Sequence, residues 1–260
     1  MLPKQSATER KKEEIPVSTA VSPKKSHPSE VSKSQATTRS TSLVAIIIDD
    51  LGNSLEIAKP FLDFPHPIAL SILPKLRYSE SIARMAEERG RTTLLHLPVE
   101  AKAENYFLGP GALITTMSEK AMERTLEQDL KTVPGVQGIN NHLGSKGTTD
   151  PKITRMIALE AKHHHLFVVD SLTTPNSILY DEARESGVPA ERREIFLDND
   201  VNEKAIKGKI DDLIKAAKVK GKAIAIGHPH LITLKVIQQS IPRLEKENIK
   251  LVPLGRLMKD

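Results

Sequence analysis

The chain has 260 residues, no cysteine, no tryptophan and a formal net charge of +5. That length admits one large domain or two small ones, with a core that needs no covalent staples, and the missing cysteine excludes disulfides, thiolate metal sites and a cysteine nucleophile. Aromatics at 3% leave no stacking platform for single-stranded nucleic acid, and residues 1–42, with eight Lys or Arg against four Glu, hold +4 of the net charge, so the near-neutral remainder excludes a nucleic-acid partner.

Residues 1–42 are rich in Ser, Thr, Lys and Pro and lack apolar periodicity. Such a segment cannot bury enough surface to offset the entropy of ordering, so a disordered tail or tether is expected there. No stretch reaches the roughly 18–20 apolar residues of a membrane helix. Residues 1–14 contain no signal-type apolar core, which leaves a cytoplasmic protein and a chain beginning downstream of an anchor both open.

From Leu43 the pattern changes. A continuously apolar run at 43–49 predicts a first strand, followed by a helix over 54–62. A strand at 67–73 precedes a helix at 79–89, and a third strand covers 92–97. Ser118 can cap the next helix, whose apolar positions are Met122, Leu126, Leu130 and Val133. A strand at 136–140 leads to Asp150-Pro151, an N-cap with proline at the first helical position. Then come a strand at 166–170, a helix at 177–186 and a strand at 194–197. Asn202 opens a helix that Gly221 stops; a strand at 223–227, a helix at 234–247 and a strand at 249–254 complete the chain. Eight apolar strands alternating with seven helices predict a parallel α/β fold. The expectation is a distorted (β/α)7-8 barrel over residues 43–260, with a doubly wound open sheet as the alternative.

Functional groups in such folds sit where strands end. Strand one ends in Asp49-Asp50, strand three in His96 and Glu100, strand four in Asn140-Asn141-His142 and Ser145. Asp170 closes strand five, Asp198 strand six, and His228 and His230 strand seven. Each has a plainer reading: aspartates cap helices, Asn and Gly make turns, and a histidine can be a core residue. Independent turns would not gather His and Asp at one end of a barrel. Imidazole and carboxylate together are ligands for Zn²⁺ and similar ions. His163-His164-His165 falls at the end of a helix on the opposite rim, where histidine suits the helix dipole, and His66 lies before strand two; neither is assigned to the site.

These residues resemble the divergent polysaccharide deacetylase family, through Ile-Ile-Ile-Asp49-Asp50-Leu-Gly52, His96-Leu-Pro-Val-Glu100, Asn140-Asn141-His142-Leu-Gly144-Ser145, Phe167-Val-Val-Asp170-Ser171, Phe196-Leu-Asp198-Asn199 and Ile226-Gly227-His228-Pro229. The resemblance implies a barrel that removes acyl groups from a glycan with a divalent metal, Zn²⁺ by ligand type. It implies Asp49 as base for a metal-bound water and His228 as general acid. Asp50, His96 and His142 would be ligands, with Glu100 standing where a second ligand histidine would fall. Glu100, Asp170, Asp198 and His230 would be further ligands or supporting groups, and Asn140, Asn141 and Ser145 contacts for substrate or oxyanion. An Arg-Pro-x-Tyr element of the superfamily is not evident. The family also implies an extracytoplasmic, cell-envelope location. Two further readings remain: an inactive barrel serving as a carbohydrate-binding or envelope scaffold, and a metal phosphoesterase, which the near-neutral barrel does not favour.

Overall fold

The computed structural model describes residues 41–103 and 107–259. The tail expected over residues 1–42 lies outside them save for Thr41 and Ser42. The elements in chain order are β1 (Ser42–Leu51), α1 (Leu55–Leu62), β2 (Ala69–Ile72), α2 (Ser79–Glu88), β3 (Thr93–Val99), α3 (Glu119–Thr132), β4 (Gly138–Leu143), α4 (Pro151–His163), β5 (Phe167–Asp170), α5 (Leu179–Glu185), β6 (Ala190–Arg192), β7 (Ile195–Phe196), α6 (Glu203–Lys220), β8 (Lys222–Gly227), α7 (Leu231–Lys246) and β9 (Ile249–Leu251).

Local chemistry sets the helix ends. The side chains of Ser54, Ser118, Asp150 and Asn202 each accept a hydrogen bond from a first-turn amide of α1, α3, α4 and α6, satisfying donors that a helix start leaves bare. Gly221 stops α6 in the left-handed conformation at φ 79°, where a side chain is strained. α7 begins three residues earlier than its periodicity suggests, with His230 at the cap position. Among the described residues no helix is long and apolar enough to cross a membrane.

All strands pair in parallel, in the order β6-β5-β4-β3-β2-β1-β8-β7. β8 runs along one edge of β1, while β9 pairs with Ser42–Val44 and β2 with Ile47–Leu51. The short β2 and β9 thus divide the other edge. The strand absent from the sequence reading is β6, one of the two ends of this order. Only Arg193 and Glu194 separate it from β7 at the opposite end. Three peptide steps reach at most about 11 Å, so the sheet must curl until its two edges nearly meet. That is a barrel left open at one seam.

Alternation along each strand sorts the core. Val44, Ile46 and Ile48 belong to the apolar layer beneath the helices, together with Leu95, Leu97 and Val168. Ala45, Ile47, Ala69, Leu94, Phe167, Val169, Ile224 and Ile226 form a second cluster inside the curl, closed by Val252, Leu254 and Leu257. Gly138 belongs inside as well, because the Phe167 ring lies where its Cβ would be.

A buried carboxyl outside that interior gives a test of the packing. Asp129 on α3 has no exposed surface, lies against Gly111 and has the Lys75 ammonium 2.6 Å from Oδ1. Burial outweighs the lysine and pushes its pKa from 3.8 up to about 7. Between those values the unfolded chain binds fewer protons than the folded one, so this group makes stability fall as pH rises. The unfolding free energy of Asp129→Asn, relative to the native protein, is therefore expected to rise by roughly 1–4 kcal/mol from pH 4 to pH 7. Urea titrations of both proteins at each pH measure that difference.

Candidate metal centre

The alternation that fills the interior also builds the site. In seven of the nine strands, two residues beyond the last apolar interior position comes a polar one. Ile47 is followed by Asp49, Ala69 by Ser71, Leu94 by His96, Gly138 by Asn140, Val169 by Ser171, Phe196 by Asp198 and Ile226 by His228. Asp49, Ser71, His96, Asn140, Ser171 and Asp198 are buried. Buried polar groups need partners, and these find them in one another.

Asn140 is the hub. Its Oδ1 accepts from the Ser71 hydroxyl at 2.6 Å and faces His96 Nδ1 at 3.0 Å, while its Nδ2 donates to Asp49 Oδ1 at 2.8 Å and to Ser171 Oγ at 3.4 Å. A carbonyl oxygen cannot donate, so the proton between them belongs to His96 Nδ1. That tautomer leaves Nε2 facing the centre.

Adjacent strand residues point to opposite faces, yet Asp49 and Asp50 both face the centre. The reason is a register break between Ile48 and Leu51, with Asp50 in the left-handed region at φ 58°. Leu143 at φ 54° and Leu172 at φ 48° mark similar turns at the ends of β4 and β5. Strained backbone gathered at a pocket is characteristic of functional sites. Two straps hold these turns. Asn141 Nδ2 donates to Leu143 O while its Oδ1 accepts from Ser171 N, and the Arg193 guanidinium donates to Ser171 O and Leu172 O.

Asp50 Oδ1, His96 Nε2 and His142 Nδ1 then converge. Asp50 Oδ1 is 3.1 Å from His96 Nε2 and 2.9 Å from His142 Nδ1, and the two nitrogens are 3.1 Å apart. Burial works against ionisation of Asp50, but the neighbouring His142 and His96 hold its carboxyl far below the usual carboxylate range. Burial likewise works against a charged His96, and the Asp49 charge together with Asp50 outweighs it, lifting that imidazole to about 9.

On the other side of β1, His228 Nδ1 donates to Asp198 Oδ1 at 2.9 Å, and its Nε2 is 3.8 Å from Asp50 Oδ2. Asp198 Oδ2 also accepts from His228 N and the Thr233 hydroxyl. Burial opposes the charged form of His228, but the Asp198 hydrogen bond and charge raise its pKa above the ordinary value.

The remaining expected residues serve elsewhere. Glu100 binds Thr115 N and Lys146 Nζ and lies outside the three-ligand group. Asp170 accepts from Leu172 N and the Ser177 hydroxyl, and Ser145 Oγ accepts from Lys102 N. The His230 ring is 6.3 Å from that of His228. His163 and His164 stack edge to face at the end of α4, and His66 does so with Phe64. Ser71, Arg193 and Thr233 were not singled out from the sequence. Only Ser71 carried a signal, as the polar residue two places beyond Ala69.

Asp50, His96 and His142 are the one such group among the described residues that offers three ligand atoms within 4.8 Å of one another. Asp50 Oδ1 is buried and makes no well-aligned hydrogen bond, despite the two nitrogens beside it. Atoms bonded tetrahedrally to zinc at 2.0–2.1 Å lie roughly 3.3 Å apart, close to the spacing here. Two imidazoles and one carboxylate also match catalytic zinc sites, which keep a position open. The residues present therefore fit a divalent cation.

Comparison with known proteins gives the family. The sequence model described as divergent polysaccharide deacetylase matches residues 46–258. The chain belongs to that family. It is 32% identical to the Escherichia coli K12 protein YibQ over 217 residues, 84% of this chain and 67% of that one. A solved structure from Agrobacterium tumefaciens C58 superposes with a TM-score of 0.79 at 21% identity, over 85% of this chain and 91% of the other. The catalytic domain of a peptidoglycan N-acetylglucosamine deacetylase from Eubacterium rectale superposes at 0.51 with 14% identity, over 84% and 93%. These two likenesses are of fold. Within this deacetylase-family barrel the third ligand atom of the group comes from β4 through His142, rather than from Glu100 beyond the end of β3.

Proposed function

We propose that the chain is a metal-dependent hydrolase that removes acyl groups from a glycan. One observation carries the reading: a three-ligand group flanked by an unligated carboxylate, Asp49, and by a histidine held by its own aspartate. A cation held by Asp50, His96 and His142, zinc by its ligand set, would polarise an acyl oxygen and make water acidic near neutral pH.

The protein's own groups do the rest. Asp49 Oδ2 lies 3.7 Å from His96 Nε2, beside the ligand triangle rather than in it, and Asn140 fixes its other oxygen. Asp49 then takes the proton from the attacking water. Asp198 keeps the proton on Nδ1 of His228 and favours the charged ring, so Nε2 can give a proton to the departing amine or alkoxide. Asn140 and Asn141 are engaged by protein groups and act by positioning the ends of β1, β3, β4 and β5. A glycan of the cell envelope suits this family, and such a substrate places the working protein outside the cytoplasm.

The experiment is acetate release from N-acetylglucosamine oligomers by chelator-treated protein, before and after zinc is restored. Zinc-dependent release with about one zinc per chain supports the reading. Stoichiometric zinc without release from any acylated glycan overturns it.

A further inference from the structure

Beside the ligand triangle the interior alternation continues one step, and its chemistry changes. Two residues past Ser71 stands Leu73, and two past His96 stands Pro98. With Leu76, Phe107, Leu108 and Pro110 they wall a cavity of about 160 Å³ that opens onto His142. The one polar side chain in the wall besides His142 is Asn53. Phe107 is 88% exposed at the rim.

We propose that this slot receives the acyl part of the substrate, as a straight chain of about five or six carbons rather than an acetyl group; the proposal rests on the hydrolase reading above. Three observations select that occupant. The slot borders the ligand triangle at His142, so a chain lying in it sits beside whatever group is held there. Its position fixes which part of the substrate that is. The proton donor His228 ends β8, on one side of β1, and the slot lies across β2, β3 and β4 on the other. A leaving group that meets His228 therefore leaves its acyl substituent pointing toward Leu73 and Pro98. Finally, the wall excludes a sugar ring, whose hydroxyls would be buried against carbon without partners. Size sets the length. A water-sized unit fills about 30 Å³, so the slot takes roughly five such units where an acetyl methyl would fill one.

Saturation-transfer NMR on the full chain, with and without zinc, using sodium hexanoate and sodium acetate as probes, tests this directly. Each methylene moved from water to such a wall strengthens binding about fourfold, and hexanoate is expected to bind at least tenfold more tightly than acetate. Phe107→Ala, at an exposed rim position that the fold does not depend on, is expected to weaken hexanoate about fourfold or more and leave acetate unchanged. Leu108→Glu is expected to erase the difference between the two acids, with thermal unfolding confirming that the variant is folded. Equal affinity for the two acids, or no transfer from either, overturns the proposal. Parallel assays with N-hexanoyl- and N-acetylglucosamine separate the two ideas. Selective binding with neither amide cleaved sinks the hydrolase and leaves the slot, whereas zinc-dependent cleavage without chain-length preference sinks the slot and leaves the hydrolase.

Discussion

Asp50→Asn is expected to strip the protein of zinc and of any turnover with it. Asparagine is the substitution that isolates the charge. It has nearly the shape of aspartate and is among the few residues that tolerate the left-handed backbone found at φ 58°. The strand end should therefore keep its path. What disappears is the negative oxygen between His96 Nε2 and His142 Nδ1, at 3.1 and 2.9 Å. Two imidazoles and an amide are a poor set for a divalent cation. Affinity should fall by more than the roughly 10–100-fold that losing an outer partner of a zinc ligand costs. Elemental analysis after dialysis against limiting zinc reads this, with His142→Ala as a second route to the same loss. Full retention of zinc in both variants would remove the triangle from consideration as a metal site.

The order of the barrel was legible because parallel strands buried on both faces need nearly continuous apolar runs, and the runs at 43–49, 92–97 and 223–227 supply them. β6 escaped because it is short and lies at an edge. Ala190 alone is buried there, and Glu191 and Arg192 carry the rest. The convergence of Asp50, His96 and His142 could be read as a shared rim, since strand-end position follows from chain order. That His142 joins Asp50 and His96 was implied by the family resemblance alone, because the pairing depends on how β4 turns beyond Asn140. Glu100, a further possible ligand by its place after strand three, is held instead by Lys146 and Thr115. Asn140 shows the same limit from the other side. As an amide at a strand end it suggested a substrate contact, whereas its four partners come from β2, β3, β1 and the end of β5. A hub is a property of tertiary pairing, and no local pattern announces it. The apolar slot was hidden for the same reason, being closed by Phe107, Leu108 and Pro110 from a loop with no periodicity.

Asp49→Asn is expected to lower turnover by about 10²–10⁴-fold while zinc content stays at the native level. The variant keeps the packing, because its carbonyl oxygen can accept the Asn140 Nδ2 bond that Asp49 Oδ1 accepts at 2.8 Å. The amide nitrogen then takes the place of Oδ2, 3.7 Å from His96 Nε2, and a group that can only donate cannot take a proton from water. Adjacent aspartates on one strand end are thus assigned separable jobs. Asp50 should control metal and activity together, and Asp49 activity alone. Loss of zinc from Asp49→Asn in proportion to its activity would make Asp49 a ligand and leave the site without its base. A native protein as idle as Asp49→Asn on every acylated glycan, yet still binding those glycans, would turn the same pocket into that of a carbohydrate-binding barrel. The Asp198–His228 pair would then be a fixture of the strand ends rather than a proton donor.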